Sequence, residues 1–182
     1  MLTAILLAAA AATLPVEGNA SSSVKVIVYE DLQCPDCADF RRMMDQKLLP
    51  RFASKVAFVH KDFPLMKHAW ARPAAIAGRH FASLGPEVAV RYRQHVMANI
   101  RQITVDNFRD KIAAFARASK ADPDAALRSL DDPALAALVE RDYQEGIARG
   151  VARTPTVFVS GRPFIERFTF EELAAAIEQA LK

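Results

Sequence analysis

The sequence predicts one α/β domain interrupted by an all-helical insertion. Three observations predict it: a β-α-β order near the start, only helical segments across residues 67–150, and a β-β-α order at the end. A length of 182 residues suits one domain carrying an insertion. Hydrophobic residues make up 52% and charged residues 25%, enough to bury a full core and to exclude a disordered chain. The balance of 24 Lys+Arg against 21 Asp+Glu is mild and evenly scattered, so it argues against nucleic acid or an anionic membrane as partner.

The opening run "MLTAILLAAAAATLP" is too short to span a bilayer and suits the apolar core of a signal peptide. No Lys or Arg precedes it, and small residues offer cleavage positions from Ala10 to Ala20. The alternative is a buried N-terminal helix or strand. We therefore read 1–19 as leader and linker, 20–66 with 151–182 as the α/β domain, and 67–150 as the insertion. Export would place the cysteines where disulfides form, so a periplasmic or otherwise extracytoplasmic location is expected.

"VKVIVYE", Val24 to Glu30, is β-branched and reads as a buried strand. A helix follows over Pro35 to Leu48, with Phe40, Met43, Met44 and Leu48 at helical spacing. "KVAFVHKD", Lys55 to Asp62, is a second strand, ended by Phe63-Pro64 and parallel to the first through a right-handed crossover. In the insertion, Thr104 is the expected cap of the helix containing Phe108, Ile112 and Phe115. Asp122-Pro123 and Asp132-Pro133 each pair an N-cap with proline at the first helical position, and Gly150 closes the last helix. Thr154–Ser160, Gly161-Arg162 and "PFIERF" read as an antiparallel hairpin. Thr169 and Glu172 form a capping box opening a final helix to Leu181.

The chain has two cysteines, three positions apart in "QCPDC". Cys34 falls where the first strand gives way to the helix, with Pro35 at its first position, so its sulfur faces unpaired backbone N–H groups and the positive end of the dipole. Those groups favour a thiolate, which makes Cys34 the expected nucleophile and Cys37, one turn on, the resolving thiol. A zinc site needs about four ligands and the chain offers two thiolates. A copper set of Cys34, Cys37, Met66 and His68 is the non-catalytic alternative.

"VIVYEDLQCPDC", "DFPLMKHAWARPAA" and "GVARTPTVFVSG" together resemble the DsbA-like branch of the thioredoxin superfamily, from about Gly18 onward. The resemblance implies a thioredoxin fold with a helical insertion and thiol–disulfide exchange with cysteine-bearing proteins or peptides. It also implies a membrane redox partner, a monomer, and electrons carried by the Cys34–Cys37 disulfide, with no metal or dissociable cofactor. Pro155 is implied to be cis beside the cysteines, and Thr154 to offer its backbone to an extended peptide. Two departures matter. The buried acid that several members carry six residues before the first cysteine is here Val28, while Asp31 matches an acid often found three residues before it. The histidine that strongly oxidising members place before the second cysteine is here Asp36, so a moderate oxidase is expected, with a reductase or isomerase as the alternative.

His68 is a further candidate, to tune the thiolate or touch substrate, although a capping or surface role is favoured. His60, His80 and His95 read as structural, and Trp70 and Phe81 as packing for the insertion. Phe63, Pro64, Leu65 and Met66 are equally suited to rim an apolar peptide groove or to fill a core.

Overall fold

The computed structural model describes residues 15–182, so residues 1–14 of the leader and linker expected over 1–19 lie outside the described residues. Strand β1 (Val16–Gly18) comes first and pairs antiparallel with β3 (Ala57–Asp62). This segment is part of the sheet, where the sequence suggested a linker. Three residues ending in glycine are too few to display alternation. The central strand β2 (Lys25–Glu30) runs parallel to β3. They are joined through α1 (Pro35–Met43), a π-helical turn over Met44–Leu48, and α2 (Leu49–Phe52). Pro50 cannot donate to the carbonyl of Gln46, and the helix widens just before it.

β4 (Thr156–Val159) lies antiparallel to β2, and β5 (Arg162–Ile165) completes a sheet of order β1-β3-β2-β4-β5. The hairpin turn falls at Ser160–Gly161, one residue earlier than expected, with φ of 47° and 84°, the pattern of a two-residue type I′ turn. The closing helix α8 (Phe170–Ala180) starts with the predicted capping box. One sheet face buries Val26, Val28 and Val157 against Phe40 and Leu48 of the crossover and Leu173 and Ile177 of α8.

The insertion is five helices: α3 (Ala71–Ser83), α4 (Pro86–Ala98), α5 (Phe108–Ala118), α6 (Pro123–Arg128) and α7 (Pro133–Ala148). Asp122 and Asp132 cap as expected, accepting from the N–H groups of Asp124 and Ala134. Thr104 does not cap α5. It exchanges backbone–side-chain bonds with Asn107, and the regular helix begins a turn later with Asn107 at the cap position. Gly150, at φ 79°, ends α7 with Gly150 and Val151 donating to the carbonyls of Ile147 and Gly146. Gly146 lets α7 approach the sheet: a Cβ there would stand 2.6 Å from the Phe63 ring and 3.1 Å from Tyr29. Among the described residues no helix is long and apolar enough to cross a membrane.

A buried charged seam joins insertion to sheet. Glu30 and Asp62 stand opposite each other at the ends of β2 and β3. Arg93 of α4 bridges them, at 2.8 Å to Glu30 and 2.9 Å to Asp62. Arg79 of α3 holds Asp62 at 2.7 Å and also pairs with Asp142 of α7. His60 sits at 2.8 Å from both Glu30 and Glu17, and Arg41 of α1 pairs with Glu17. Burial works against a charged His60, yet the two carboxylates outweigh it and raise the imidazole. Glu17 is held down at about 2, against the cost of its burial, by His60 and Arg41.

The signs give a pH window. His60 contributes in full below its ordinary 6.5, and that contribution is lost as pH rises through its raised folded value. Glu17 contributes in full above 4.5, and its share is lost as pH falls toward about 2. The seam is strongest between 4.5 and 6.5. His60→Ala should cost about 3–5 kcal/mol inside that window, because it leaves buried carboxylates without their cation. Urea unfolding at two pH values, one inside the window and one well above it, checks this. The cost should shrink at the higher pH, whereas an equal cost at both would show that His60 is held neutral.

Candidate functional site

Four residues beyond Glu30, Cys34 occupies the N-cap of α1 with extended backbone (φ −83°, ψ 122°) and no side-chain cap. Pro35 takes the first helical position, as the sequence suggested. Both cysteines are free thiols, Cys34 5% exposed and Cys37 fully buried one turn on. The Cys34 thiol lies 3.4 Å from the carbonyl of Thr154, and the Thr154–Pro155 bond is cis. The sheet thus carries the cis-proline loop to the start of α1.

The environment separates the two thiols. Cys34 is lowered to about 6, first by a hydrogen bond from the Cys37 thiol and, against its burial, by Thr154 and the backbone N–H groups of Cys37 and Asp36. The Thr154 hydroxyl is buried and has no hydrogen-bond partner among the described residues. Cys37 is pushed up, by burial foremost and then by the Cys34 sulfur, with the Glu30 carboxylate adding to the effect. The helix N–H groups contribute as expected. The larger influence is the second thiol.

Asp31 organises the loop around this pair. Its carboxylate accepts from the N–H of Gln33 at 2.7 Å, the N–H of Leu65 at 2.8 Å, and pairs with His68 Nδ1 at 2.7 Å. Its own N–H donates to Cys37 Sγ at 3.4 Å, and its carbonyl accepts from Cys34 N–H at 3.1 Å. The Gln33 side chain accepts from Trp70 N–H at 2.7 Å. His68 is thereby tied to the loop beside the cysteines rather than to the sulfurs themselves. Asp36 contributes its backbone, while its side chain is exposed.

Cys34, Pro35, Cys37, Thr154 and Pro155 converge, and His68 joins through Asp31. Sequence reasoning noticed Asp31 but not its role. It missed Glu30: the acid absent at Val28 is supplied one residue pair further along the same strand face. The predicted rim divides, with Phe63 and Pro64 buried and Met66 96% exposed. Trp70 stacks on Phe108 within the same apolar cluster as both cysteines. The copper set is not gathered: His68 turns Nδ1 to Asp31 and Met66 faces solvent.

Comparison with known proteins agrees with this geometry. A family model described as thioredoxin matches residues 11–179. BdbD from Bacillus subtilis, in its oxidised form, superposes with a TM-score of 0.81 at 24% identity, covering 92% of each chain. The thiol-disulfide exchange protein α-DsbA2 from Wolbachia pipientis gives 0.78 at 18% identity, over 91% of this chain and 86% of that one. Among curated proteins, the Na(+)/H(+) antiporter NhaA of Herminiimonas arsenicoxydans is 25% identical over 165 residues, 90% of this chain. The chain spans a quarter of that protein's length. With its fold, its two-cysteine helix start and this match over nearly all of its length, the chain belongs to the thioredoxin family and shares the architecture of DsbA proteins.

Proposed function

We propose that the chain is an extracytoplasmic thiol–disulfide oxidoreductase that oxidises cysteine pairs in proteins or peptides. The observation that carries this reading is the contrast between an acidic Cys34 at the N-cap of α1 and a buried, reluctant Cys37 one turn away. In the oxidised protein a substrate thiolate attacks Cys34 Sγ, the 34–37 bond breaks, and Cys37 leaves and takes up a proton. The substrate's second thiolate then attacks the mixed disulfide and releases Cys34 as a thiolate. Two electrons move from substrate to protein, and a membrane redox partner takes them away. No dissociable cofactor is needed. Thr154 and Pro155 dock the substrate backbone beside Cys34, and Asp31 and His68 hold the loop that positions Cys37.

An acidic Cys34 is a good leaving group and stabilises the dithiol form, which favours oxidation of substrates. Asp36 works the other way, since a carboxylate repels a nearby thiolate. That observation favours a moderate oxidase and keeps reductase or isomerase activity as the second reading. Alkylation trapping in cells separates the two: mostly disulfide supports oxidase, mostly dithiol supports reductase or isomerase.

Reduced Cys37→Ser should accumulate mixed disulfides with disulfide-bearing substrate proteins, because the Cys34 thiolate attacks the substrate disulfide and no second thiol resolves the product, and Cys34→Ser should form none. Non-reducing electrophoresis followed by mass spectrometry reads this directly. Equal residual exchange in both variants would refute dithiol catalysis.

Alkylation of the reduced protein should modify Cys34 first, with a rate that reaches half its plateau near the lowered value of about 6. Peptide mapping across a pH series measures it. Labelling of Cys37 ahead of Cys34 would reverse the assigned roles.

Asp36→His should lower the Cys34 value further and raise the reduction potential. One pKa unit is worth about 1.4 kcal/mol, or about 30 mV for a two-electron couple. Because Asp36 is exposed, screening should hold the change to a few tens of millivolts at most. Glutathione redox titration of both proteins decides it, and an unchanged or more negative potential would remove Asp36 from the account.

A further inference from the structure

Two grooves border the segments that carry the redox pair and the cis-proline, and their charges match. One, of about 420 Å3, runs between α1 and the end of α4, from Pro35 past Arg42 to Asn99, Arg101 and Gln102. The other, of about 530 Å3, lies between the loop after β3 and the segment leading to Pro155, bordered by Met66, Lys67 and Arg153. Each holds one arginine already paired to a carboxylate, Arg42 with Asp39 and Arg153 with Glu166. Each also holds one exposed cation with no carboxylate partner among the described residues, Arg101 in the first and Lys67 in the second.

We infer that this chain prefers substrate cysteines flanked by carboxylate-bearing residues, a preference that rests on the thiol–disulfide reading above. A substrate strand docked on Thr154 continues along the Lys67 groove on one side of its cysteine. On the other side it passes Pro35 into the Arg101 groove. The first groove is lined by Pro35, next to Cys34, and the second by Arg153, next to Thr154, so an extended chain advancing about 3.3 Å per residue comes alongside them within a few positions of the cysteine. Asp36 is exposed in the first turn of α1 and repels an acid placed directly beside the cysteine. The preference therefore belongs to the more distant positions. Rim charges of this kind act chiefly on association rate and are weakened by salt. Lysine at the same positions would meet Arg101 or Lys67 and be disfavoured.

The test uses the oxidised full chain and reduced two-cysteine peptides carrying Glu, Gln or Lys two or three residues to either side. Each rate is normalised to that peptide's reaction with a small-molecule disulfide, which removes differences in intrinsic thiol reactivity. At low salt Glu should exceed Gln, and Gln exceed Lys, by about two- to fivefold per contact, the range of exposed charge pairs. Added salt should compress the series. Arg101→Glu should reverse the preference on one side of the cysteine and Lys67→Glu on the other, with Gln peptides unchanged in both. Equal rates for all three series, with the Gln peptide still reacting, overturn this inference and leave the exchange reading standing. A preference that survives both variants overturns it as well. If no peptide reacts, the exchange reading fails and this inference fails with it.

Discussion

The structure turns on the guanidinium of Arg93. Two buried carboxylates, Glu30 and Asp62, stand in register on adjacent parallel strands, within about 5 Å of strand spacing. Left alone they would repel each other in a poorly solvated interior, and one would take up a proton. Arg93 donates to both, and with Arg79 it keeps Asp62 below its ordinary carboxylate value. Both arginines come from the insertion, so the sheet edge beneath the cysteines is electrically complete only when α3 and α4 are in place. The insertion thus serves as the counter-ion of the thioredoxin half. Removing either guanidinium would cost far more than an exposed pair, since a buried charge would lose its partner.

That arrangement also sets the field in which the cysteines work. Glu30 is fixed as an anion and adds to the penalty for charging Cys37. Cys34 lies at the other end of the same turn, where N–H groups converge and the Cys37 thiol can donate. Two chemically identical side chains therefore differ in acidity through position alone. In the exchange proposed above, this separation assigns the outer sulfur to the substrate, and the inner one leaves and takes up a proton as the mixed disulfide forms.

The legible parts of this fold are those encoded within a few residues. The Asp-Pro starts of α6 and α7, the Thr169–Glu172 box, the Gly150 terminator and the cysteine spacing all depend on neighbours two to five positions away. The seam was not legible, because each of its pairings joins residues distant in sequence. Glu30 reads as the polar end of a strand until Arg93, sixty-three residues on, is seen beside it. His60 reads as structural, yet nothing local says that Glu30 and Glu17 raise its proton affinity against the cost of burial. β1 escaped notice because its evidence is Glu17, whose partners are His60 and Arg41. Thr104 shows the opposite failure: a sound local signal was used one turn early, as half of an exchange with Asn107.

Asp31 and Asp36 flank Cys34, and the sequence assigns a redox effect to Asp36 while giving Asp31 no definite role. Their surroundings give them opposite work. The carboxylate of Asp31 is buried and bonded to two backbone N–H groups and to His68, so its charge is consumed in holding the loops after β2 and β3 together. A buried carboxylate so bonded is a structural fixture, and removing it would free the N–H groups that it satisfies. Asp36 is exposed, so its charge reaches the sulfur through solvent and acts as a weak adjustment to a thiolate made elsewhere. Under the reading proposed above, the position before Cys37 is the one where a substitution would shift the potential while leaving the scaffold intact. Asp31 has no such freedom. In the proposed exchange, one acid fixes the geometry and the other grades the driving force.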